Sequence, residues 1–246
     1  MMQYSVVCEK GLIRKINQDS VFAASDGHNG VFCIADGMGG HSKGEIASRV
    51  IVSKVEDCWK KLCFNKEAIS FGDVFEIFKE VLVDANSYIF ERYNKDAVCG
   101  STVAFLLIFD SYYGIINVGD SRVYAVTRNI FLQETMDDVW ENLPKQKLKE
   151  NSEIIRSPLY GKLTNSVGTA AVLHCSYSIN RLYGKKVFFL CSDGIYKLCD
   201  EAILKNIIRN ERNPVEATNA IAEIVRKNGA VDNYSMIIVN VRDEKY

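Results

Sequence analysis

The spacing of apolar residues changes along the chain from strand-like runs to a helical period. Short apolar runs, rich in β-branched, aromatic and small residues, occupy positions 3–8, 20–24 and 31–35, and polar or glycine-rich segments separate them. Such runs predict short strands. From Glu45 the apolar residues recur every three or four positions with charged residues between them, which predicts an amphipathic helix that reaches about Leu62.

A second helix and a group of closely spaced strands follow. Apolar residues at helical spacing extend to about Tyr93, and either Ser70 or Asp73 can cap the start of this helix. The strand-like runs after it are joined by short turns, which predicts an antiparallel meander because such connections are too short for parallel crossovers. These runs cover residues 101–109, 112–118, 123–127 and 130–132.

The second half of the chain contains a polar segment and then strands and helices again. Residues 135–157 are charged and only weakly periodic, which predicts a short helix and a surface excursion. Because runs of strands and runs of helices do not alternate regularly, we expect an α+β fold with helices packed over antiparallel sheets, in one domain over residues 1–246. The later elements are predicted as strands at 172–179 and 186–191, helices at 200–210 and 215–227, and a closing strand at 234–241.

Composition and charge exclude several classes of partner. The 246 residues are 48% hydrophobic, which is ample for a substantial core. The 30 basic and 31 acidic side chains leave a formal net charge of -1, so no global attraction to nucleic acid or to an anionic membrane is expected. Residues 1–15 have no apolar stretch of signal-peptide length, and no run approaches the ~20 residues of a membrane span. We expect a monomer in the cytoplasm, without nucleic-acid or membrane partners.

Cysteine and histidine do not form a recognisable metal or redox motif. The eight cysteines are scattered, mostly inside apolar runs, with no C-x-x-C pair, and the chain has only three histidines. A core of this size needs no disulfides, so reduced thiols in a reducing compartment are the preferred interpretation.

Five aspartates stand where a strand-like segment meets a loop, and three of them adjoin a glycine. Each one alone is an ordinary turn residue, because Asp accepts hydrogen bonds from nearby backbone and Asp-Gly is a common turn. If strand ends gather these carboxylates at one rim, however, their mutual repulsion requires cations. Ligands that are all oxygen favour magnesium or manganese over zinc or iron. The five residues are Asp19, Asp36, Asp120, Asp193 and Asp232.

The glycine-rich acidic segment after the apolar run 31–35 is the most distinctive of these places. Its glycines permit close approach of the backbone, and it is predicted as a turn between a strand and the first helix. The Lys and Ser/Thr of a P-loop are missing, and a carboxylate would repel phosphate, so a cation is the better candidate ligand. The segment reads Asp36-Gly37-Met38-Gly39-Gly40-His41.

Six short motifs, in order and at similar spacing, resemble those of the metal-dependent, type 2C serine/threonine protein phosphatases, and the resemblance is to the bacterial branch. They are Arg14-x-x-Asn17-Gln18-Asp19, Asp36-Gly37-Met38-Gly39-Gly40-His41, Gly100-Ser101-Thr102, Gly119-Asp120-Ser121-Arg122, Ser192-Asp193-Gly194 and Asp232-Asn233. The resemblance spans residues 5–241. It implies an α-β-β-α sandwich, with two central antiparallel sheets flanked by helices and a metal centre at one edge of the sheets. It also implies that the protein hydrolyses phosphoserine and phosphothreonine on proteins, reversing a serine/threonine kinase.

The same resemblance implies a set of metal ligands. Asp36 would bridge two Mn²⁺ or Mg²⁺ ions, and the carbonyl of Gly37 would bind one of them. Asp193 and Asp232 would complete the other site, while Asp19 would act directly or through water. A metal pair can activate a water for in-line attack on phosphorus, so no protein nucleophile is required.

Further residues receive roles by position in these motifs. Asp120, helped by Asp193, would hold a weaker third ion. Arg14 matches the phosphate-binding arginine, whose guanidinium suits a phosphate dianion. Arg122 is expected to be a structural ion-pair partner instead. Supporting groups that orient carboxylates or backbone are expected at Asn17, Thr102 and Asn233.

Two departures from the family pattern concern the proton donor and the substrate. Met38 stands where many eukaryotic relatives carry a histidine, and a thioether cannot transfer a proton. His41 is a candidate general acid, a metal-coordinated water is an equal alternative, and His41 has the further interpretation of merely capping or packing against the following helix. The flap-like segment at about 135–169 resembles the family only loosely, which leaves substrate choice open.

Three other functions compete with that of a protein phosphatase of this type. A pseudophosphatase would bind phosphoproteins or a kinase without turnover, although the retained aspartates argue against it. A hydrolase of small phosphate esters or nucleotides would use the same chemistry with a different pocket. Cysteine-based catalysis is disfavoured because Cys191 and the other cysteines lack the following arginine loop of thiol phosphatases.

Overall fold

Two antiparallel sheets lie face to face at the centre of the molecule, and helices cover both outer faces. The computed structural model describes residues 2–39, 43–64, 69–94, 98–127, 129–143, 158–210 and 213–242. In chain order, the elements are β1 (Met2–Glu9), β2 (Asp19–Ser25), β3 (Gly30–Gly39), α1 (Lys43–Phe64), α2 (Phe71–Tyr93), β4 (Cys99–Ser101), β5 (Val103–Phe109), β6 (Tyr112–Val118), β7 (Arg122–Val126), β8 (Phe131–Gln133), a 3₁₀ helix (Trp140–Asn142), β9 (Ser176–Arg181), β10 (Lys185–Cys191), α3 (Asp193–Tyr196), α4 (Glu201–Asn210), α5 (Pro214–Lys227) and β11 (Tyr234–Arg242).

The strands divide into two sheets whose order brings the chain ends together. Sheet I has the order β1-β11-β10-β7-β8, and sheet II has the order β2-β3-β5-β6-β9, with β4 paired to β3 beyond β5. Every pairing is antiparallel. The α-β-β-α sandwich implied by the family resemblance is thereby confirmed.

Both faces of the central strands are buried, which explains why their sequences are continuously apolar. In β3, Phe32 and Ile34 join the core between the two sheets, whereas Val31, Cys33 and Ala35 join the core under α1 and α2. Strand β10 alternates in the same way between the inner core and the core under α4 and α5. Side chains of successive strand residues point to opposite faces, so each residue in such a run belongs to one core or the other.

The predicted helices are present, and the structure shows which residue caps the start of α2. Ser70 is the N-cap of α2: its Oγ accepts the backbone N–H of Asp73 at 3.2 Å, and Asp73 Oδ2 accepts the N–H of Ser70 at 3.3 Å. This reciprocal pair is a capping box, so both residues proposed as caps contribute to the start of the helix. The helix ends at Tyr93, as predicted.

The predicted meander is wrong at its centre. Strands β5 and β6 form a hairpin, and so do β7 and β8, but β6 lies in sheet II and β7 in sheet I. Residues Gly119, Asp120 and Ser121 carry the chain across, and Gly119 has a φ of 91° that favours glycine. Short apolar runs do not reveal which sheet a strand joins. The consequence is that Asp120 lies where the two sheets meet.

Three other boundaries differ from the sequence predictions. A turn was predicted directly after residue 35, and this is wrong as far as Gly39. Gly37–Gly39 remain in β3 and pair with β4. Strand β9 starts at Ser176 rather than 172, and the short helix α3 was not predicted. A short helix does occur at Trp140–Asn142, while residues 144–157 of the expected excursion lie outside the described ranges.

All eight cysteines are free thiols. Among the described residues, the structure contains no helix with the length and apolar character of a membrane span.

Candidate metal centre

Asp19 and Asp36 face each other across two paired strands. Asp19 opens β2 and is in register with Asp36 on β3. On the other side of β3, Thr102 holds the backbone of Asp36: the Asp36 N–H donates to the Thr102 hydroxyl at 3.1 Å, and the Asp36 carbonyl accepts the Thr102 N–H at 2.8 Å. Both carboxylates are therefore placed at the same rim of sheet II, and Thr102 supports the backbone as expected.

Gly37 lets the first helix begin directly against this rim. A Cβ atom at Gly37 would lie 2.1 Å from the carbonyl oxygen of Gly44, in the first turn of α1. No larger residue fits there without moving the helix, so the backbone of β3 approaches α1 most closely at this glycine rather than only at Gly39 and Gly40, where the sequence predicted it. The Gly37 N–H donates to the carbonyl of Gln18 at 3.1 Å, which fixes the residue next to Asp36.

Two serine hydroxyls hold one oxygen of Asp19 and leave the other without a partner. Asp19 is only 5% exposed, and its Oδ2 accepts hydrogen bonds from Ser192 Oγ at 2.9 Å and Ser235 Oγ at 2.7 Å. Its Oδ1 is buried and, in the part of the chain that the structure describes, accepts no hydrogen bond from a neutral or cationic donor. Burial, aided by the charge of Asp193 and opposed by the two serines, raises the pKa of Asp19 to about 6. A buried carboxylate oxygen in this state is costly unless a cation or a proton meets it.

Asp36 is the carboxylate of the site whose charged form is most strongly disfavoured by its surroundings. It remains partly accessible to solvent, yet the surrounding protein atoms raise its pKa well above the ordinary value, and the charges of Asp19, Asp193 and Asp120 raise it further. These mutual effects show that the four carboxylates lie close together. Burial and like charges both disfavour the ionised form of Asp36, and a cation bound beside it would offset them.

The other two of these carboxylates already contact donors from α3 and the residue after it. The hydroxyl of Tyr196 donates to Asp120 Oδ2 at 3.2 Å, and Lys197 Nζ lies 2.6 Å from Asp193 Oδ2. Burial raises the pKa of Asp120, and the charge of Asp193 adds to it. Burial opposes the charge of Lys197, but the acidic residues around it, Asp193 foremost, outweigh burial and raise its pKa.

Arg14 and Asp232 form an ion pair at the outer side of the cluster. Arg14 Nη2 lies 2.8 Å from Asp232 Oδ2, and the side chains are 53% and 35% exposed. The hydrogen bond and charge of Asp232 raise the pKa of Arg14, and the charges of Asp193 and Asp36 contribute as well. Arg14 therefore lies at the mouth of the same acidic cluster.

Asn233 joins the loop that carries Arg14 to the start of β11. Its Oδ1 accepts the N–H of Gln18 at 2.9 Å, and its Nδ2 donates to the carbonyls of Lys10 at 2.8 Å and Ile16 at 3.0 Å. Asn17 acts similarly, since its Oδ1 accepts the N–H of Asp19 at 3.2 Å. Both asparagines orient backbone, in agreement with the sequence expectation.

Arg122 is the ion-pair partner that the sequence predicted. Its Nε donates to Asp137 Oδ2 at 3.0 Å and its Nη2 donates to the same oxygen at 2.7 Å, with a further contact from Nε to Oδ1 at 3.1 Å. The guanidinium carbon lies 3.6 Å from the centre of the Tyr196 ring. Arg122 thus supports the tyrosine that contacts Asp120.

The proton-donor question is not resolved by the described residues. His41 lies outside them, so its role stays a prediction. Met38 lies in β3 opposite Gly100 of β4. Its thioether offers no proton, and this position supplies no general acid.

The donor set fits a pair of hard divalent cations. In the described part of the chain, no group of three or more His, Cys, Asp or Glu side chains converges as in a formed metal site. One carboxylate oxygen of each of three aspartates contacts a protein donor instead: Asp120 contacts Tyr196, Asp193 contacts Lys197, and Asp232 contacts Arg14. The unpartnered Asp19 Oδ1 and the raised pKa of Asp36 nevertheless mark a place where positive charge is missing. Carboxylates and backbone carbonyls are the ligands that Mg²⁺ and Mn²⁺ prefer.

Sequence reasoning gave no role to three side chains that contact the aspartates, namely Ser235, Tyr196 and Lys197. Ser235 gave a readable signal, because it alternates with Ile237 and Val239 on the inner face of β11, where a lone polar residue needs a partner. Lys197 follows Asp193 by four residues, which is the spacing of a helical ion pair. Nothing in the sequence indicates the contact of Tyr196 with Asp120.

Comparison with known proteins finds one family throughout. The protein phosphatase 2C family model matches residues 14–234. The serine/threonine protein phosphatase PstP of Mycobacterium tuberculosis is 24% identical over 250 residues, which cover 100% of this chain but 46% of PstP. The chain thus spans about half the length of that relative. The serine/threonine phosphatase stp of Listeria innocua is 26% identical over 240 residues, covering 94% of this chain and 92% of stp.

A solved structure agrees with the fold described above. The catalytic domain of PstP in complex with two manganese ions superposes with a TM-score of 0.81 at 22% identity, covering 98% of this chain and 99% of that one. The family match takes in the rim aspartates, all of sheet II, and strands β7, β8 and β10 of sheet I. This chain belongs to the protein phosphatase 2C family.

Proposed function

We propose that this protein is a metal-dependent phosphatase that hydrolyses phosphoserine and phosphothreonine in other proteins. The observation that carries the proposal is the Asp19–Asp36 pair, in which one buried carboxylate oxygen has no partner and both pKa values are raised. Such a pair needs a cation to be charged at neutral pH. Membership of the protein phosphatase 2C family and the printed names of the relatives supply the reaction.

We assign two Mn²⁺ or Mg²⁺ ions to the rim. Asp36 would bridge them, the Gly37 carbonyl would bind one, and Asp193 and Asp232 would bind the other. Asp19 would add Oδ1, because Ser192 and Ser235 already occupy its Oδ2. When bound, such ions act as Lewis acids, activate water and neutralise charge on a phosphoryl group.

The chain itself supplies binding and orientation of the phosphate. Arg14 lies at the mouth of the cluster, is half exposed, and carries parallel donors that match a phosphate monoester. In this assignment Asp232 exchanges its contact with Arg14 for a metal, which leaves the guanidinium available to substrate. His41 is the candidate to protonate the leaving seryl or threonyl oxygen.

The organisation and setting that we propose follow from composition and from the family. The chain forms one catalytic domain, with a flap-like segment at about 135–169, and works as a monomer in the cytoplasm. Its substrates are phosphoproteins, including targets of a cognate serine/threonine kinase. A formal net charge of only -1 supports the proposal that nucleic acid and membranes are not partners.

Turnover of a phosphothreonine peptide tests the proposal. We expect hydrolysis with Mn²⁺ and none after chelation, and faster turnover of the peptide than of free nucleotides. Hydrolysis that persists in chelator contradicts the metal assignment. Metal binding without any turnover would favour the pseudophosphatase, and a preference for nucleotides would favour the hydrolase of small esters.

Arg14→Ala tests the phosphate site separately. Loss of a charge-assisted hydrogen bond is worth about 1.5–3 kcal/mol, so kcat/KM should fall about 10- to 100-fold, mainly through KM. The exposed Arg181 of β9 provides a matched control, because Arg181→Ala removes the same charge from the surface. Equal effects of the two substitutions would remove Arg14 from the site.

A further inference from the structure

The Asp193 side of the acidic cluster contains a cation of its own. Lys197 Nζ lies 2.6 Å from Asp193 Oδ2. The lysine follows Asp193 by one helical turn, and its backbone N–H donates to the Asp193 carbonyl at 3.0 Å. This spacing, with the acid nearer the helix N-terminus, is the favourable orientation for a helical ion pair. The ammonium is thus held beside Asp193 by the local backbone.

The neighbouring carboxylate is held by an anchored hydroxyl. Tyr196 donates to Asp120 Oδ2 at 3.2 Å, and its ring lies under the guanidinium of Arg122 at 3.6 Å. Arg122 is fixed in turn by its hydrogen bonds to Asp137. The tyrosine hydroxyl is therefore not a mobile surface group, and it occupies one of the two carboxylate oxygens of Asp120.

A third divalent ion at Asp120 and Asp193 would meet two obstacles. It would find Asp120 Oδ2 already hydrogen-bonded to the Tyr196 hydroxyl, and it would lie next to the Lys197 ammonium, which repels it. Asp193 keeps its second oxygen for one of the two ions of the proposed centre. Among the described residues, Asp19 is held differently: two uncharged serine hydroxyls donate to its Oδ2, and no ion pair to it is present.

We propose that Lys197 takes the place of a third metal ion at the Asp120–Asp193 pair, so that the protein binds two divalent ions and not three. This inference rests on the proposed function, because the two ions are those assigned around Asp36. It replaces the sequence expectation that Asp120 and Asp193 hold a weaker third ion. Lys197 acts here as a fixed charge that positions Asp193, with Tyr196 positioning Asp120.

The number of Mn²⁺ ions bound per chain tests the inference without any measure of activity. The full chain is stripped of metal and titrated with Mn²⁺, with bound ions counted by calorimetry and by the electron paramagnetic resonance signal of free Mn²⁺. We expect two ions for the wild type and for Lys197→Arg, and three for Lys197→Ala. The double variant Tyr196→Phe/Lys197→Ala should bind the third ion more tightly, because Asp120 Oδ2 is then available as well.

Control variants keep the result interpretable. The Lys197 side chain is 57% exposed, so its replacement should not disturb folding, and far-ultraviolet circular dichroism of each variant checks this. Lys205→Ala removes one exposed positive charge from α4 and should leave two ions. Three ions in the wild type, or two ions in both Lys197→Ala and the double variant, overturn the inference. Failure of the wild type to bind any Mn²⁺ would overturn the proposed function with it, whereas three ions together with metal-dependent turnover would overturn the inference alone.

Discussion

The acidic cluster has two halves that the fold treats differently. Asp19 and Asp36 form one half, where uncharged serine hydroxyls hold Asp19 and one buried oxygen has no partner. Asp120 and Asp193 form the other half, where the chain provides a tyrosine hydroxyl and a lysine ammonium. The comparison teaches that the presence of a group of acidic residues does not by itself determine how many metal ions bind. The contacts of each carboxylate decide which pair still lacks a positive charge.

Replacing one aspartate from each half is the strongest test of this difference. Asp36→Asn should lower kcat about a thousandfold, because the loss of a bridging ligand forfeits several kcal/mol of transition-state stabilisation. Asp120→Asn should lower it by about tenfold or less, since Tyr196 can still donate to the amide oxygen. Initial rates on a phosphothreonine peptide at saturating Mn²⁺ measure both. Equal losses would mean that both halves hold catalytic metal.

The stability of the metal-free protein should depend on pH, because no metal ion neutralises Asp19 and Asp36 in it. The pKa of Asp19 is raised from 3.8 to about 6, so between these values the folded state binds more protons than the unfolded state. Stability of the metal-free protein should therefore fall as pH rises through this window, with Asp19 costing on the order of 3 kcal/mol above it. The raised pKa of Asp36 acts in the same direction and adds to this loss.

Urea unfolding in chelator at pH 4.5 and at pH 7.5 measures this effect. Because other carboxylates titrate in the same range, the informative quantity is the difference between the wild type and Asp19→Asn. That difference should favour the variant at the higher pH, and saturating Mn²⁺ should reverse it. If, without metal, the stability of the wild type increased relative to that of Asp19→Asn as pH rises, the raised pKa of Asp19 would be contradicted.

Removing one serine from Asp19 should weaken metal binding moderately. Groups that orient a ligand are typically worth 10- to 100-fold in metal affinity, so Ser235→Ala should raise the Mn²⁺ dissociation constant by about that factor. Thr218→Val is the matched control, since the Thr218 hydroxyl is buried and contacts Ser5 at 2.8 Å rather than a carboxylate. Calorimetry that finds the same affinity in both variants would show that Ser235 only fills space.

Tyr196→Phe should have the smallest effect. Its hydrogen bond to Asp120 is long, at 3.2 Å, and the phenylalanine ring keeps the packing under Arg122. Unfolding of the metal-free variant in urea should therefore show a loss of about 1 kcal/mol. A loss of several kcal/mol would indicate that the hydroxyl carries the stability of the second half.

Most of the fold was predictable because local pattern and burial agree. The apolar runs of β3 and β10 are buried on both faces, and the helical stripes of α2 and α5 lie over the sheets, so periodicity identified these elements. The assignment of strands to sheets was not predictable. The turn at Gly119 joins two sheets rather than two neighbours, and a short turn looks the same in either case.

The candidate site was predictable in its aspartates but not in their partners. Acidic residues at strand ends, in motif order, pointed to Asp19, Asp36, Asp120, Asp193 and Asp232 as a group. Which carboxylate contacts which donor depends on strand register and on packing between distant segments. Ser235 is 216 positions from Asp19 in sequence, and the Tyr196–Asp120 contact depends on how Arg122 packs. No local pattern encodes such contacts.

The pairing of β1 with β11 has a consequence for the synthesis of the protein. Asp19 and Arg14 are translated early, but the neighbours that hold them, Asp232, Asn233 and Ser235, belong to the last part of the described chain. The ribosome must therefore release the chain as far as Ser235 before the rim can close. Until β11 has emerged, Asp19 has no contact with Ser235, and the order of synthesis delays assembly of this rim.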